Sequence, residues 1–421
     1  MAKTTTSTTN KKSSRSKKTP SPHTAGMQRS AGGAEELELS RRVQLAMVPQ
    51  SLPAVTGLDI RAFYFPREAI AGDLFDIVLI SEDMLAMFML DVGGYGTSAA
   101  LMSAFAKGSL QNHIRETTSP TVVLERVNGD IIRAAGASFA ISAFVAYLDL
   151  HNNKLTYTTA EHPCQMVYCK HDASLRHLST PGTKLGTTKD AYFEDESIYL
   201  SPGDRVFVFS DGVYELFEKN GDSHQIEALA AILSGEDASV GELMNKLEKR
   251  YETKAAEQVI RDDVSAMGFE ILTQSRKNQI KEKLGFYRDD PVYLQFISYY
   301  EEMDGVAGVI LKEMDVAGFP DETIRKMKIS LTELLANAIG HGNNEDHSLK
   351  VTIGHIVNRE VATVSIMDEG DGFDPQALPD PTLPENLIKD HGRGLYIVNN
   401  YVDELEHNER GNRVLIRKYH V

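Results

Sequence analysis

The chain has 421 residues, 42% hydrophobic and 25% charged, enough for two or three soluble globular domains. Its net charge of −16 argues against a general nucleic-acid surface. No apolar run reaches the roughly 18 residues that would span a membrane, and the N-terminus lacks the apolar core of a signal peptide. A cytoplasmic protein is therefore expected.

Residues 1–34 are a basic, Ser/Thr-rich tail with seven Lys/Arg and no acid, too polar to order itself. A linker helix is expected over 35–53, where Leu37, Val43, Leu45 and Val48 recur at near-helical intervals until Pro49 and Pro53 stop it. From 54 to 272 the texture turns β-rich. LDIRAFYFP, FDIVLI, MLAMFML, FAISAFVAYLDL, KLTYTTA, QMVYCK and RVFVFS read as strands. Helical patterns interrupt them at 98–116 and 120–135, with further helices near 225–233 and over 240–258. Sheets flanked by helices, without a β-α-β repeat, point to an α+β sandwich. Cys164 and Cys169 form a lone C-x4-C pair and read as ordinary thiols of a reducing compartment.

Acidic residues cluster at strand ends or in tight turns, most of them terminating or bordering an apolar run: Asp73 and Asp76 in AGDLFD, Asp91 in MLDVGGYG, Asp211 in VFVFSDGV, and Asp262 and Asp263 in RDDVS. Strands that emerge at charged ends can project carboxylates into one cleft. There the charges repel and raise each other's pKa, which an oxygen-seeking Mg²⁺ or Mn²⁺ relieves. Two such ions can activate a water for in-line attack on a phosphoester, with no protein nucleophile needed. The competing reading is ordinary Asp-Gly turn chemistry, accepted here for Asp149 and Asp204.

The ordered motifs GDLFD, DVGGYGTSAALMSA, TAEHP, SPGDRVFVFSDGVYE and RDDVS resemble the PPM Ser/Thr phosphatases, in their SpoIIE/RsbU branch. RRVQLAMVPQSLP is similar to the helix that precedes such domains. By this resemblance Asp73, Asp91, Asp211 and Asp262 hold two metal ions, with the Val92 carbonyl as a further donor, and Asp76 and Asp263 support them from behind. The chain departs from the family pattern at Gly93 and Tyr95, where Ser and His are usual, and at Glu161, where Gly is usual. His162 is expected to be a strand-end turn residue.

After a linker at 273–288, a third unit spans 289–421. In ELLANAIGHGN the residues Glu333, Asn337 and His341 are spaced i, i+4, i+8 and share one helix face. A carboxylate and an amide on one stripe can hold Mg²⁺ and a water against nucleotide phosphates. Asp368 ends the strand-like VATVSIM, placed to accept from an adenine amino group, and Gly370 and Gly372 let the backbone come close to a base. Gly392 and Gly394 precede the helical LYIVNNYV, where backbone N–H groups can receive an anion. The competing reading is an amphipathic helix followed by glycine turns.

Together the three boxes resemble the GHKL nucleotide fold, in its anti-sigma-factor serine kinase branch. The resemblance implies that Glu333 is the general base, Asn337 the Mg²⁺ ligand and Asp368 the adenine contact. Gly392, Gly394 and Leu395 would belong to the phosphate loop, and His341, Gly370 and Gly372 would line the ATP site. A histidine kinase needs a phosphoacceptor His ahead of this domain. The preceding SRKNQIKEKLGFYRDD has none, which favours transfer to a partner's Ser or Thr.

The expected fold is thus α+β: a PPM-type β-sandwich flanked by helices, followed by a GHKL α/β sandwich. The two resemblances imply opposed activities on one STAS-domain anti-sigma-factor antagonist, with a sigma factor as a further partner and no direct nucleic-acid contact. They also suggest a homodimer. Two alternatives stay open: an adaptor with one active domain, and a phosphatase whose ATP domain senses nucleotide.

Overall fold

The computed structural model describes residues 1, 36–94, 96–162, 165–217, 225–235, 238–373 and 393–420. The basic tail, Tyr95, Cys164 and Gly392 lie outside the described residues. Among the described residues no helix is long and apolar enough to cross a membrane.

Helix α1 occupies residues 36–45, and its Leu37, Leu39 and Val43 are exposed. Ten strands and five helices follow: β1 (Leu58–Phe65), β2 (Leu74–Ser81), β3 (Met84–Val92), α2 (Thr97–His113), α3 (Pro120–Ala135), β4 (Ile141–Asp149), β5 (Lys154–Ala160), β6 (Gln165–Cys169), β7 (Ser174–His177), β8 (Glu196–Tyr199), β9 (Arg205–Phe209), α4 (Gly212–Glu215), α5 (Gln225–Leu233), α6 (Val240–Ala256) and β10 (Val264–Ile271). They form two five-stranded sheets, β1-β10-β9-β6-β7 and β2-β3-β4-β5-β8, whose pairs are antiparallel. Local chemistry sets the helix starts. Ser119 caps α3 with Pro120 in its first turn, and Ser239 and Glu242 cap each other at α6.

The main core lies between the sheets, where Phe75, Met89 and Phe144 of one meet Val206, Val208 and Phe269 of the other. Alternate residues of the first sheet, including Phe63, Phe207 and Phe209, face outward and are covered by Leu229, Leu233, Leu243 and Leu247 of α5 and α6. Helices α2 and α3 cover the second sheet. The result is a four-layer sandwich with helices outside and sheets inside.

The segment 273–288 is largely helical. Thr273 caps α7 (Gln274–Leu284), which ends at the left-handed Gly285. Beyond it lie β11 (Tyr293–Ile297), α8 (Met303–Ala317), α9 (Asp321–Asn337), β12 (Val351–Val357), β13 (Val361–Met367), α10 (Arg393–Tyr401), β14 (Glu404–His407) and β15 (Arg413–Tyr419). The sheet order is β11-β12-β13-β15-β14. Strand alternation splits its two faces: Val351 and Ile353 join the core under α8 and α9, while Gly354 and Ile356 face α7. Helix α7 therefore belongs to this sheet's second face, where its Leu284 carbonyl accepts the Ser365 hydroxyl at 2.7 Å.

Candidate active sites

In the sandwich domain the acidic residues arrive from both sheets at one end. Asp73 immediately precedes β2, Asp91 lies at the end of β3, Asp211 follows β9 and starts α4, and Asp262 and Asp263 lead into β10. Asp73 is only 3% exposed, and its Oδ2 accepts the Ser265 hydroxyl at 2.7 Å. Burial, then the charges of Asp91 and Asp263, push its pKa well up. Burial, with Asp211 and Asp262 nearby, raises Asp91 to about 6. Asp211 is raised by burial and by Asp262. These mutual shifts put the acids in one electrostatic neighbourhood.

The backbone around them is built for close approach. A Cβ on Gly72 would lie 2.9 Å from the Val92 carbonyl, and one on Gly212 would run into the Asp263 carbonyl. Only glycine permits those two packings. Asp263 braces the Asp73 loop, accepting N–H groups from Arg67 and Gly72 at 2.9 Å each.

Asp76 does not share that direction. It stands three positions after Asp73, an odd step that turns it to the other face of the sheet. Its carboxylate accepts from Gln111 and lies 3.3 Å from the Lys107 ammonium, so it fastens α2 instead of backing the acids. His162 is 3% exposed, meets Gln165 Oε1 at 2.8 Å, and is pushed by burial down to about 4. That fits a structural turn residue. Glu161 adopts φ 53, a left-handed conformation.

Among the described residues no three His, Cys, Asp or Glu side chains form a ready-made metal cage. The donor set still fits hard divalent cations, because it offers oxygen alone and holds several carboxylates whose mutual repulsion a cation would relieve. Four polar groups escaped the reading of the sequence: Ser265, Ser210, Tyr64 and Gln44. The Ser210 hydroxyl donates to the Asp263 carbonyl at 3.1 Å, and the Tyr64 hydroxyl to the Asp73 carbonyl at 3.2 Å. The Gln44 amide pairs with both backbone groups of Ala71 at 2.7 Å. Both serines sit inside FSDG and DDVS, so their place beside the acids was the available signal.

In the second domain, Glu333 and Asn337 lie half-buried on one face of α9. Gly394 packs directly on them: a Cβ there would meet the Glu333 carboxylate and lie 3.6 Å from Asn337 Nδ2. Helix α9 then widens into a π turn over Ala338–Gly342. The wider turn breaks the i+4 phase after Asn337, and His341 is exposed. Asp368 packs against Gly342, where a Cβ would be 2.6 Å from its Oδ2. Its Oδ1 accepts the Gly370 N–H at 3.0 Å. Asn412 holds the same residue by two bonds, accepting the Asp368 N–H at 3.0 Å on its carbonyl and donating its amide to the Asp368 carbonyl at 2.8 Å. Gly372 has φ 79 and lies against the Arg410 carbonyl, so a glycine is required at this turn. Burial raises the Asp368 pKa. Leu395 lies in the first turn of α10 and packs against the domain core.

Comparison with known proteins agrees with this division. Residues 81–271 match the stage II sporulation protein E (SpoIIE) family, and residues 300–418 the histidine kinase-like ATPase domain. The chain is 28% identical to phosphoserine phosphatase RsbU of Bacillus subtilis over 186 residues, 44% of this chain and 55% of that protein. It is 32% identical to serine-protein kinase RsbW of the same organism over 109 residues, 24% of this chain and 68% of that protein. A solved structure of the RsbU and RsbW domains of Rv1364c from Mycobacterium tuberculosis aligns over 89% of this chain and 95% of that one, at 20% identity and a TM-score of 0.47. The chain spans about half or less of the length of its phosphatase relatives. The chain belongs to the histidine kinase-like ATPase family, in its RsbW group, and ahead of that domain it carries one similar to the SpoIIE-type PPM phosphatases.

Proposed function

We propose that the chain is a two-way regulator of a protein phosphoserine or phosphothreonine, removing phosphate in its first domain and adding it in its second. The observation that carries this reading is the convergence of Asp73, Asp91, Asp211 and Asp262, drawn from 190 residues of sequence, into one mutually repelling set.

In the phosphatase domain Asp73, Asp91, Asp211, Asp262 and the Val92 carbonyl would hold two Mg²⁺ or Mn²⁺ ions. Such ions, when bound, supply an acidified water and neutralise charge on the phosphoryl oxygens. The chain's own part is to fix the donors: Ser265 orients Asp73 by its hydroxyl, and Asp263 holds the loop that carries it.

In the ATPase domain Asn337 would hold the Mg²⁺ that accompanies ATP. Asp368 would accept from the adenine amino group, and His341, Gly370, Gly372, Gly392, Gly394 and Leu395 would line the site. Glu333 would take the proton of the attacking Ser or Thr hydroxyl. The partner class that fits both the phosphatase and kinase relatives is a STAS-domain anti-sigma-factor antagonist, with a sigma factor as a second ligand.

The test incubates the chain with such an antagonist, ATP and Mg²⁺, then exchanges these for Mn²⁺ alone. Phosphate is expected to enter the antagonist in the first mixture and to leave it in the second. Absence of both transfer and release overturns the reading.

A further inference from the structure

The two domains meet through a buried ion pair as well as through the chain. Lys350 immediately precedes β12 and is 4% exposed. Its ammonium donates to the Asp59 carboxylate and the Ile60 carbonyl, both in β1 of the phosphatase domain. Arg61 of the same strand donates to the Ser348 carbonyl at 2.7 Å and lies 3.5 Å from Asp59. Burial, then the Arg61 charge, pushes the Lys350 pKa down to about 8. Burial alone would raise Asp59, but Lys350 and Arg61 outweigh it and hold the carboxyl below its ordinary value. A second tie lies nearby, where the buried Glu302 carboxylate accepts backbone N–H groups from Leu52, Ser298 and Tyr299.

Lys350 also reaches the nucleotide side. Its backbone N–H donates to the Glu369 carboxylate at 2.9 Å, and the Glu369 N–H donates to Asn343 Oδ1 at 2.9 Å. Glu369 directly follows Asp368. One residue thus grips the phosphatase strand by its side chain and the adenine-side turn by its main chain.

On the other side, β1 leads straight to the acids. A strand advances about 3.3 Å per residue, so Tyr64 stands roughly 17 Å along from Asp59. The Tyr64 hydroxyl donates to the Asp73 carbonyl, and Tyr64 pairs in register with Ser265, whose hydroxyl donates to the Asp73 carboxylate.

We propose that Lys350 couples the two sites: nucleotide occupancy beside Asp368 changes the set of β1, and with it the carboxylates around Asp73. This rests on both sites having the functions proposed above. A nucleotide that favours one arrangement of the Asp368–Gly370 turn must favour the matching arrangement of Lys350 and Asp59. By linkage, the factor by which nucleotide changes divalent-ion affinity at the acids is the factor by which those ions change nucleotide affinity.

The experiment uses the full chain, p-nitrophenyl phosphate with Mn²⁺ as the phosphatase readout, and a fluorescent non-hydrolysable ATP analogue. In the native chain, at fixed Mn²⁺, the analogue is expected to change the hydrolysis rate by about fivefold or more. Lys350→Met and Asp59→Asn should each bring that ratio to within about twofold of one. Their rates without nucleotide should stay near native, and both should still bind the analogue at the same Mn²⁺. If Lys350→Met does not fold, Asp59→Asn serves alone. An unresponsive native chain with both sites working overturns the proposal, as does an undiminished response in the folded variants. A chain that neither binds the analogue nor hydrolyses the ester removes the reading of the sites themselves, and the coupling with it.

Discussion

The carboxylate of Asp263 accepts the N–H of Gly72 at 2.9 Å, across 191 residues of sequence. That bond fastens the loop ahead of β2 to the lead-in of β10, which brings Asp73 beside Ser265. The acidic site is thus assembled by backbone-directed bonds as much as by the acids themselves.

Asp211→Asn removes one negative charge from a set that resists ionisation. Mn²⁺-dependent phosphoester hydrolysis should fall by about 100-fold. The metal-free melting temperature should hold or rise, because a repulsive partner of Asp91 has gone. Calorimetry and a phosphatase assay on the same preparation check both halves, and retained activity contradicts the assignment.

Gly394→Val places a branched side chain against the Glu333 carboxylate and Asn337. Nucleotide affinity should fall by about tenfold or more, about 1.4 kcal/mol. Phosphoester hydrolysis measured without nucleotide should be unchanged. Titration with a fluorescent ATP analogue decides it, and undiminished binding argues that Gly394 does not line the site.

Glu248 of α6 is raised to about 7 by burial, against the opposing pull of Arg61. Its folded pKa lies above its unfolded value, so the folded chain binds the extra proton between about pH 4.3 and 7. Stability from this group therefore falls as pH rises through that window, by up to about 3 kcal/mol, and stays low above it. Glu248→Gln should be more stable than the native chain at pH 7.5 and nearly equal to it at pH 4.5. His162 works in the opposite sense, being lowered to about 4, but it cancels in the difference between the two curves. Urea titrations across pH measure that difference, and a gap that does not widen with pH refutes the prediction.

Glu161 holds φ 53. A left-handed residue with a Cβ costs about 1–2 kcal/mol, and glycine's extra unfolded freedom costs about 0.5–1 kcal/mol. Glu161→Gly should therefore stabilise the chain, by up to about 1 kcal/mol. A lower urea midpoint in the variant would show that the side chain earns its place.

Much of the sandwich was legible because its strands are runs of β-branched and aromatic residues closed by turns. The strand Val264–Ile271 escaped because it is buried on both faces, shows no alternation, and carries Gly268 and small residues. Asp91 and Asp211 end apolar runs, and Asp73 and Asp262 border the start of others, so each could be read locally. The direction of Asp76 required knowing where β2 begins, and the place of His341 required a π turn that no spacing rule anticipates. The pairing of Lys350 with Asp59 spans 291 residues and leaves no local pattern at all.

The shared enclosure of Lys350 limits how this chain can be cut and rejoined. A chimera that grafts a relative's ATP-binding half onto this phosphatase would leave the Asp59 carboxylate and the Ile60 carbonyl without their cation unless the donor also brings a lysine to that spot. The natural unit of exchange is then the tandem pair, and drift at position 350 should be tolerated only when position 59 drifts with it.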